Sequence, residues 1–130
     1  MKPYKHAVSS AKKFGGHWED YIEIHEFMDS SKGAIADNRH RALTHNAWFI
    51  STIIPRVFGE TIARHSDRQI VSTRDIAEQH VLEDYGMKFI PSAQDFLQEI
   101  EYKGWMQNGM GRPNSAEKLK LNDFKKVVYD

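Results

Sequence analysis

Apolar residues return along this chain mostly at three- and four-residue intervals, the spacing of helices that bury one face. Tyr4 to Phe14 has such a face and runs into Gly15-Gly16, where left-handed backbone costs least, so it is predicted as a first helix. Trp18 to Ser30 repeats the pattern, with Trp18, Tyr21, Ile22, His25 and Met28 on one side. Gly33 separates it from a longer segment, Ala34 to Ile54, which Pro55 must kink or restart. Ser72-x-x-Asp75 reads as a capping box opening a helix from Arg74 to Tyr85 before Gly86, and Pro91-Ser92-x-x-Asp95 opens another through Ile100. Strand patterning is scarce, and the one β-branched run, Gln69 to Thr73, is too short to found a sheet. The expected fold class is all-α: a small helical bundle around a buried central helix, with a C-terminal extension.

The segment Ala34 to Ile54 is the predicted central helix. One side gathers Ala34, Ala42, His45, Phe49 and Ile53, and the opposite side Ala36, His40, Leu43, Ala47, Ile50 and Ile54. Apolar residues thus cover nearly the whole circumference of its second half, as in an enclosed helix. Leu43 and Ala47 are therefore expected in the core. Between the two faces runs a polar seam of Asp37, Arg41 and His45, spaced four apart.

The pattern recurs elsewhere. His25 and Asp29 are four apart in the second helix, and His80 and Asp84 are four apart beside Glu83. Three segments thus each carry a histidine and an aspartate that can point inward. Each pair has a plain reading, a hydrogen-bonded core histidine beside a satisfied carboxylate. Together they have another, because a divalent metal among helices needs imidazole and carboxylate ligands converging from several of them. The expected metal ligands are His25, Asp29, His45, His80 and Asp84, with His40 in reserve. His45, Asp37 and Arg41 are the expected catalytic residues: a carboxylate orients the imidazole as a base, and the guanidinium binds an anionic group. His17 and His65 read as surface histidines. His6 shares its side of the first helix with Lys2, Lys5 and Ser9 or Ser10.

Composition narrows the function. The chain's 130 residues suit one domain, and eighteen Lys+Arg offset eighteen Asp+Glu. A protein devoted to the DNA backbone is usually strongly basic, so nucleic acid is disfavoured as a partner. The absence of cysteine excludes disulfides, thiol catalysis and Cys-based zinc sites. No apolar leader and no membrane-length apolar run occur, so a soluble, cytoplasmic protein without a membrane partner is expected. The helical body is predicted over 1–102. Beyond it Gly104, Gly109, Gly111, Pro113, Asn114 and Ser115 suggest a connector, followed by Leu119, Leu121, Phe124, Val127 and Val128. Residues 103–130 hold six Lys+Arg and three Asp+Glu, so this basic extension carries +3 and the body −3. It either docks back on the body or builds a homo-oligomer or partner contact.

Two motif runs carry a family likeness. The first is His25 followed by Asp29-x-x-Lys32 and Asp37-Asn38-Arg39-His40-Arg41-Ala42-Leu43, and the second is Glu78-Gln79-His80-Val81 followed by Glu83-Asp84-x-Gly86 and Ile90-Pro91-Ser92. With His6 to Gly16 at the start, the chain resembles an uncharacterised family of small bacterial and phage proteins over roughly residues 4–102. That resemblance implies a compact domain from a prokaryotic or viral source and supplies no activity. The helical layout is also similar to that of metal-dependent phosphohydrolases of the His-Asp type. It departs from them because His45 is followed by Asn46 and no His-Asp dipeptide occurs. Three functions follow from these readings: a helical, histidine-rich domain that binds a divalent metal and acts on a phosphoester or other small anionic substrate; a non-enzymatic adaptor or inhibitor of a host protein; and a nucleic-acid accessory protein.

Overall fold

The structure is a computed structural model that describes residues 1–116. Helix α1 (Pro3–Phe14) starts with Pro3 in its first turn, where a missing N–H breaks no helical bond. It ends at Gly15, whose φ of 87° suits glycine. A 3-10 turn, Trp18–Asp20, leads into α2 (Ile22–Asp29), and a second, Ser30–Gly33, follows it.

The single helix expected over Ala34 to Ile54 is broken twice. Asp37 is the first reason. Its carboxylate accepts the Arg39 N–H at 2.8 Å and so caps a 3-10 turn, Asn38–His40, instead of lying inside a helix. A short α3 (Arg41–Thr44) follows. Asn46 is the second reason. Its amide donates to Ala42 O at 3.0 Å and its Oδ1 accepts from Phe49 N at 2.9 Å, closing one helix and opening the next. The next helix is widened to π geometry over Phe49–Ile53 before α4 (Ile54–Phe58), with Pro55 in the first turn of α4. The break turns Leu43 outward, 49% exposed, and leaves Ala47 exposed as well. Neither is the core residue that an unbroken helix would make it.

The fold is mostly helical but not all-α. Strands β1 (Thr61–Ala63) and β2 (Ile70–Ser72) pair antiparallel, with Ile62 opposite Val71. Three residues each suffice because β2 runs directly into α5 (Thr73–Asp84), and Ser72 caps that helix by accepting Asp75 N. Thr73 fastens the junction by donating to Gly59 O at 2.6 Å.

Helix α5 takes the central place assigned to the earlier segment. It packs against α1, α2 and α4 and buries Thr73, Ile76, Ala77, Gln79, His80 and Val81. The apolar core joins Ile76, Ala77 and Val81 to Ala7, Tyr21, Ile24, Met28, Phe49, Ile50 and Ile54. Helix α6 (Ala93–Leu97) carries a complete capping box between Ser92 and Asp95.

By its internal packing the chain divides into Met1–Glu99 and Ile100–Asp130. Within the second unit, α7 (Trp105–Asn108) forms where a connector was expected and ends on left-handed Gly109. Leu119, Leu121, Phe124, Val127 and Val128 lie outside the described residues. No helix among the described residues is long and apolar enough to cross a membrane.

Candidate metal centre

The helices bring His25, His40, His45 and His80 together, each no more than 1% exposed. The i, i+4 spacing places His25 with Asp29 on α2 and His80 with Asp84 on α5. His45 arrives differently: it sits in the break after α3, with φ −103° and ψ 53°. That turn brings its Nε2 to 2.9 Å from Asp84 Oδ2 on α5 and 3.6 Å from Asp29 Oδ1 on α2. His80 Nε2 lies 3.1 Å from Asp29 Oδ1 and 3.4 Å from Asp84 Oδ2.

Two imidazole nitrogens and two carboxylate oxygens therefore face one point, all within 4.8 Å of one another. Metal–ligand bonds of about 2.1 Å put tetrahedral neighbours roughly 3.4 Å apart and octahedral neighbours roughly 3.0 Å apart. The four nitrogen–oxygen separations, 2.9 to 3.6 Å, bracket both values.

The surrounding hydrogen bonds assign the tautomers. Gln79 Nε2 is 3.1 Å from His6 O, which can only accept, so this atom is the amide nitrogen and Oε1 is an acceptor. Ser10 Oγ spends its proton on Gln79 Oε1 at 2.5 Å. Ser10 must then accept from His25 Nε2, 2.7 Å away. His25 Nδ1 is left with a lone pair, and His80 Nδ1 donates to it across 2.9 Å. In a neutral His80 the remaining lone pair, on Nε2, points at two carboxylates. Only a cation there is stable, either a proton or a metal.

The charges agree with that bookkeeping. Burial opposes protonation of His80, but the hydrogen bonds to Asp29 and Asp84 outweigh it and raise the group above the ordinary histidine value. Burial would raise both carboxyls; His80 holds Asp29 low, and contacts with His45, His6 and His80 hold Asp84 well below the usual range. Burial depresses His45 despite its bond to Asp84. His25 is depressed to about 2 by burial and by His80 and His6. On the far side of His45, Nδ1 meets Thr44 Oγ1 at 2.8 Å, and Thr44 continues through Ser31 to His40 Nδ1. Rotatable hydroxyls let this chain reverse, so His45 can present Nε2 as donor or as ligand.

The remaining expected residues fall around or outside this point. His25 is not among these four donors; it lies in a second buried group with His6 and His80, whose ligand atoms are within 4.8 Å of one another, and its Nδ1 faces His80 Nδ1. Asp37 is exposed and engaged by Arg39, so it lies apart from the cluster with which the expected seam would have joined it. Arg41 reaches the rim, with Nη2 4.0 Å from Asp84 Oδ1 and its guanidinium over the Tyr85 ring at 5.3 Å. Its buried Nε has no hydrogen-bond partner among the described residues. His17 and His65 are exposed. His6, not singled out as a ligand, is fully buried and stacks on His80 with ring centroids 3.8 Å apart. A signal for it was present: hydroxyls three and four residues on, at Ser9 and Ser10, give a buried face something to bond.

Residues 1–106 match the model of a family described as a domain of unknown function, DUF6915. The chain belongs to this family. The match contains every residue of the centre, from His6 to Asp84, so the site lies wholly within the DUF6915 domain. No curated protein and no solved structure matches the chain.

Proposed function

We propose that this protein binds a divalent metal through Asp29, His45, His80 and Asp84 and hydrolyses a phosphoester or comparable small anionic substrate. The observation that carries the reading is the convergence of His45 and His80 ring nitrogens with Asp29 and Asp84 carboxylate oxygens, all within 4.8 Å of one another. Two aspartates offset a dipositive ion, and the oxygen-nitrogen donor set suits zinc, manganese or iron. A bound ion would supply an activated water near neutral pH. Arg41 stands beside Asp84 with donors to spare, suited to holding the anion by a forked contact. His25 supports the centre by fixing the tautomer of His80, as partners behind ligating histidines commonly do.

Hydrolysis of p-nitrophenyl phosphate and its diester by Mn²⁺- and Zn²⁺-loaded protein tests the reading. Turnover is expected with metal, is abolished by a chelator and is absent in Asp84→Asn. Arg41→Ala is expected to raise KM roughly tenfold to a hundredfold, the worth of a charge-assisted hydrogen bond of about 1.5–3 kcal/mol. A protein that binds metal but turns over no anionic ester would assign the centre a structural role instead.

A further inference from the structure

His6 is fully buried on α1, and the four-donor centre makes no use of it. Its Nδ1 lies 2.8 Å from Glu83 Oε1. Glu83 also accepts from Ser9 Oγ and, at 2.6 Å, from Gln79 Nε2. A carboxylate surrounded by donors only accepts, so the proton on His6 Nδ1 is the imidazole's own. In the neutral ring this leaves a lone pair on Nε2. That atom is buried and has no hydrogen-bond partner among the described residues. Its close polar neighbour is another acceptor, Asp84 Oδ1, at 3.2 Å. Two acceptors confronted in a buried space call for a cation between them.

We infer that His6 Nε2 and Asp84 Oδ1 hold a second divalent cation, so that Asp84 bridges a dinuclear centre. The inference rests on the metal reading above, because the first ion uses the other oxygen of the same carboxylate. His6 and His80 are stacked, 3.8 Å between centroids and 26° between planes. Each presents Nε2 to a different oxygen of Asp84, His6 to Oδ1 at 3.2 Å and His80 to Oδ2 at 3.4 Å. Two ions bound side by side on such a carboxylate sit about 3.5–4 Å apart, the spacing of two-metal hydrolytic centres. The His6–Glu83 contact is the second support, since a ligating imidazole usually donates its other N–H to a carboxylate or carbonyl. Water completes the coordination of this ion. Arg41 Nη2 approaches the same oxygen at 4.0 Å, so the second ion binds more weakly than the first. An anion held by Arg41 offsets that repulsion and tightens it.

The test is a Mn²⁺ titration of the full chain after stripping with a chelator, followed by calorimetry and electron paramagnetic resonance. Wild type is expected to bind two equivalents of unequal affinity, and the six-line mononuclear spectrum gives way to an exchange-coupled one as the second binds. His6→Asn keeps an amide near the place of Nδ1 for Glu83 but has no Nε2. It is expected to bind one equivalent and to retain the mononuclear spectrum. One equivalent in wild type without exchange coupling overturns the second ion and leaves the first. Two coupled equivalents in His6→Asn overturn the assignment of His6. No binding in wild type overturns both ions, and the wild-type spectra decide the matter if His6→Asn does not fold.

Discussion

Replacing His25 by asparagine is expected to change how stability depends on pH. An unfolded chain protonates its imidazoles below about pH 6.5. In the folded protein His25 stays neutral down to about 2, because burial and the neighbouring His80 and His6 oppose the charge. A depressed histidine means that, between those values, the unfolded state binds the extra proton and stability falls as pH falls. The slope is about 1.4 kcal/mol per pH unit well inside the window. Integrated from pH 7 to pH 5, with the unfolded group titrating near 6.5, the loss is about 2 kcal/mol. This result does not depend on where below about pH 4 the folded group titrates. His45 and His40 shift in the same direction and His80 in the opposite one, so the wild-type loss alone is ambiguous. The difference between wild type and His25→Asn isolates the one group. Urea unfolding followed by circular dichroism at pH 7 and pH 5, with a chelator in both, measures it. Wild type is expected to lose about 2 kcal/mol more than the variant. Equal losses would refute the reasoning, as would an imidazole resonance of folded wild type showing His25 titrating near pH 6. The resonance decides the matter even if the variant does not fold.

Two further outcomes follow. Leu43→Asp is expected to stay folded, within about 0.5 kcal/mol of wild type, because Leu43 projects into solvent, whereas Ile76→Ala in the core should cost about 2–5 kcal/mol; thermal melts of both report it. Ser10→Ala strands the His25 Nε2–H and Gln79 Oε1 together and is expected to cost about 1–3 kcal/mol in urea unfolding, with no such loss in Ser51→Ala on the surface.

Much of the centre was legible in the sequence because part of it is a matter of helical period. His25 with Asp29 and His80 with Asp84 each lie four apart within a real helix, and period alone places each pair on one face. His45 reaches the cluster by a different route from the one its spacing implied. A continuous helix would have aligned it with Asp37 and Arg41, but Asp37 caps its own turn and α3 ends at Thr44, closed by Asn46, so that His45 lies in the break. The aspartate two residues before Arg39 and the asparagine before a renewed apolar run are capping residues, and reading them as such would have moved both breaks into view. The same error placed Leu43 and Ala47 inside. His6 was left out of the expected ligands because Lys2 and Lys5 make its side of α1 look solvated; burial there depends on α5 and Glu83, seventy-seven residues away. The hairpin was missed because its strands are only three residues long and are held by the cap of α5 rather than by their own pattern.

Metal bound per chain is the most direct measurement. The full chain, purified without added histidines, is assayed by elemental mass spectrometry as isolated and after incubation with Zn²⁺ or Mn²⁺ and desalting. At least one equivalent of divalent metal is expected in wild type, with none retained by Asp29→Asn/Asp84→Asn and a lower melting temperature for the chelator-stripped protein. Wild type that retains no stoichiometric metal under either condition, and melts at the same temperature with and without added ions, would contradict the proposed centre and leave His80 as an imidazolium paired with two carboxylates.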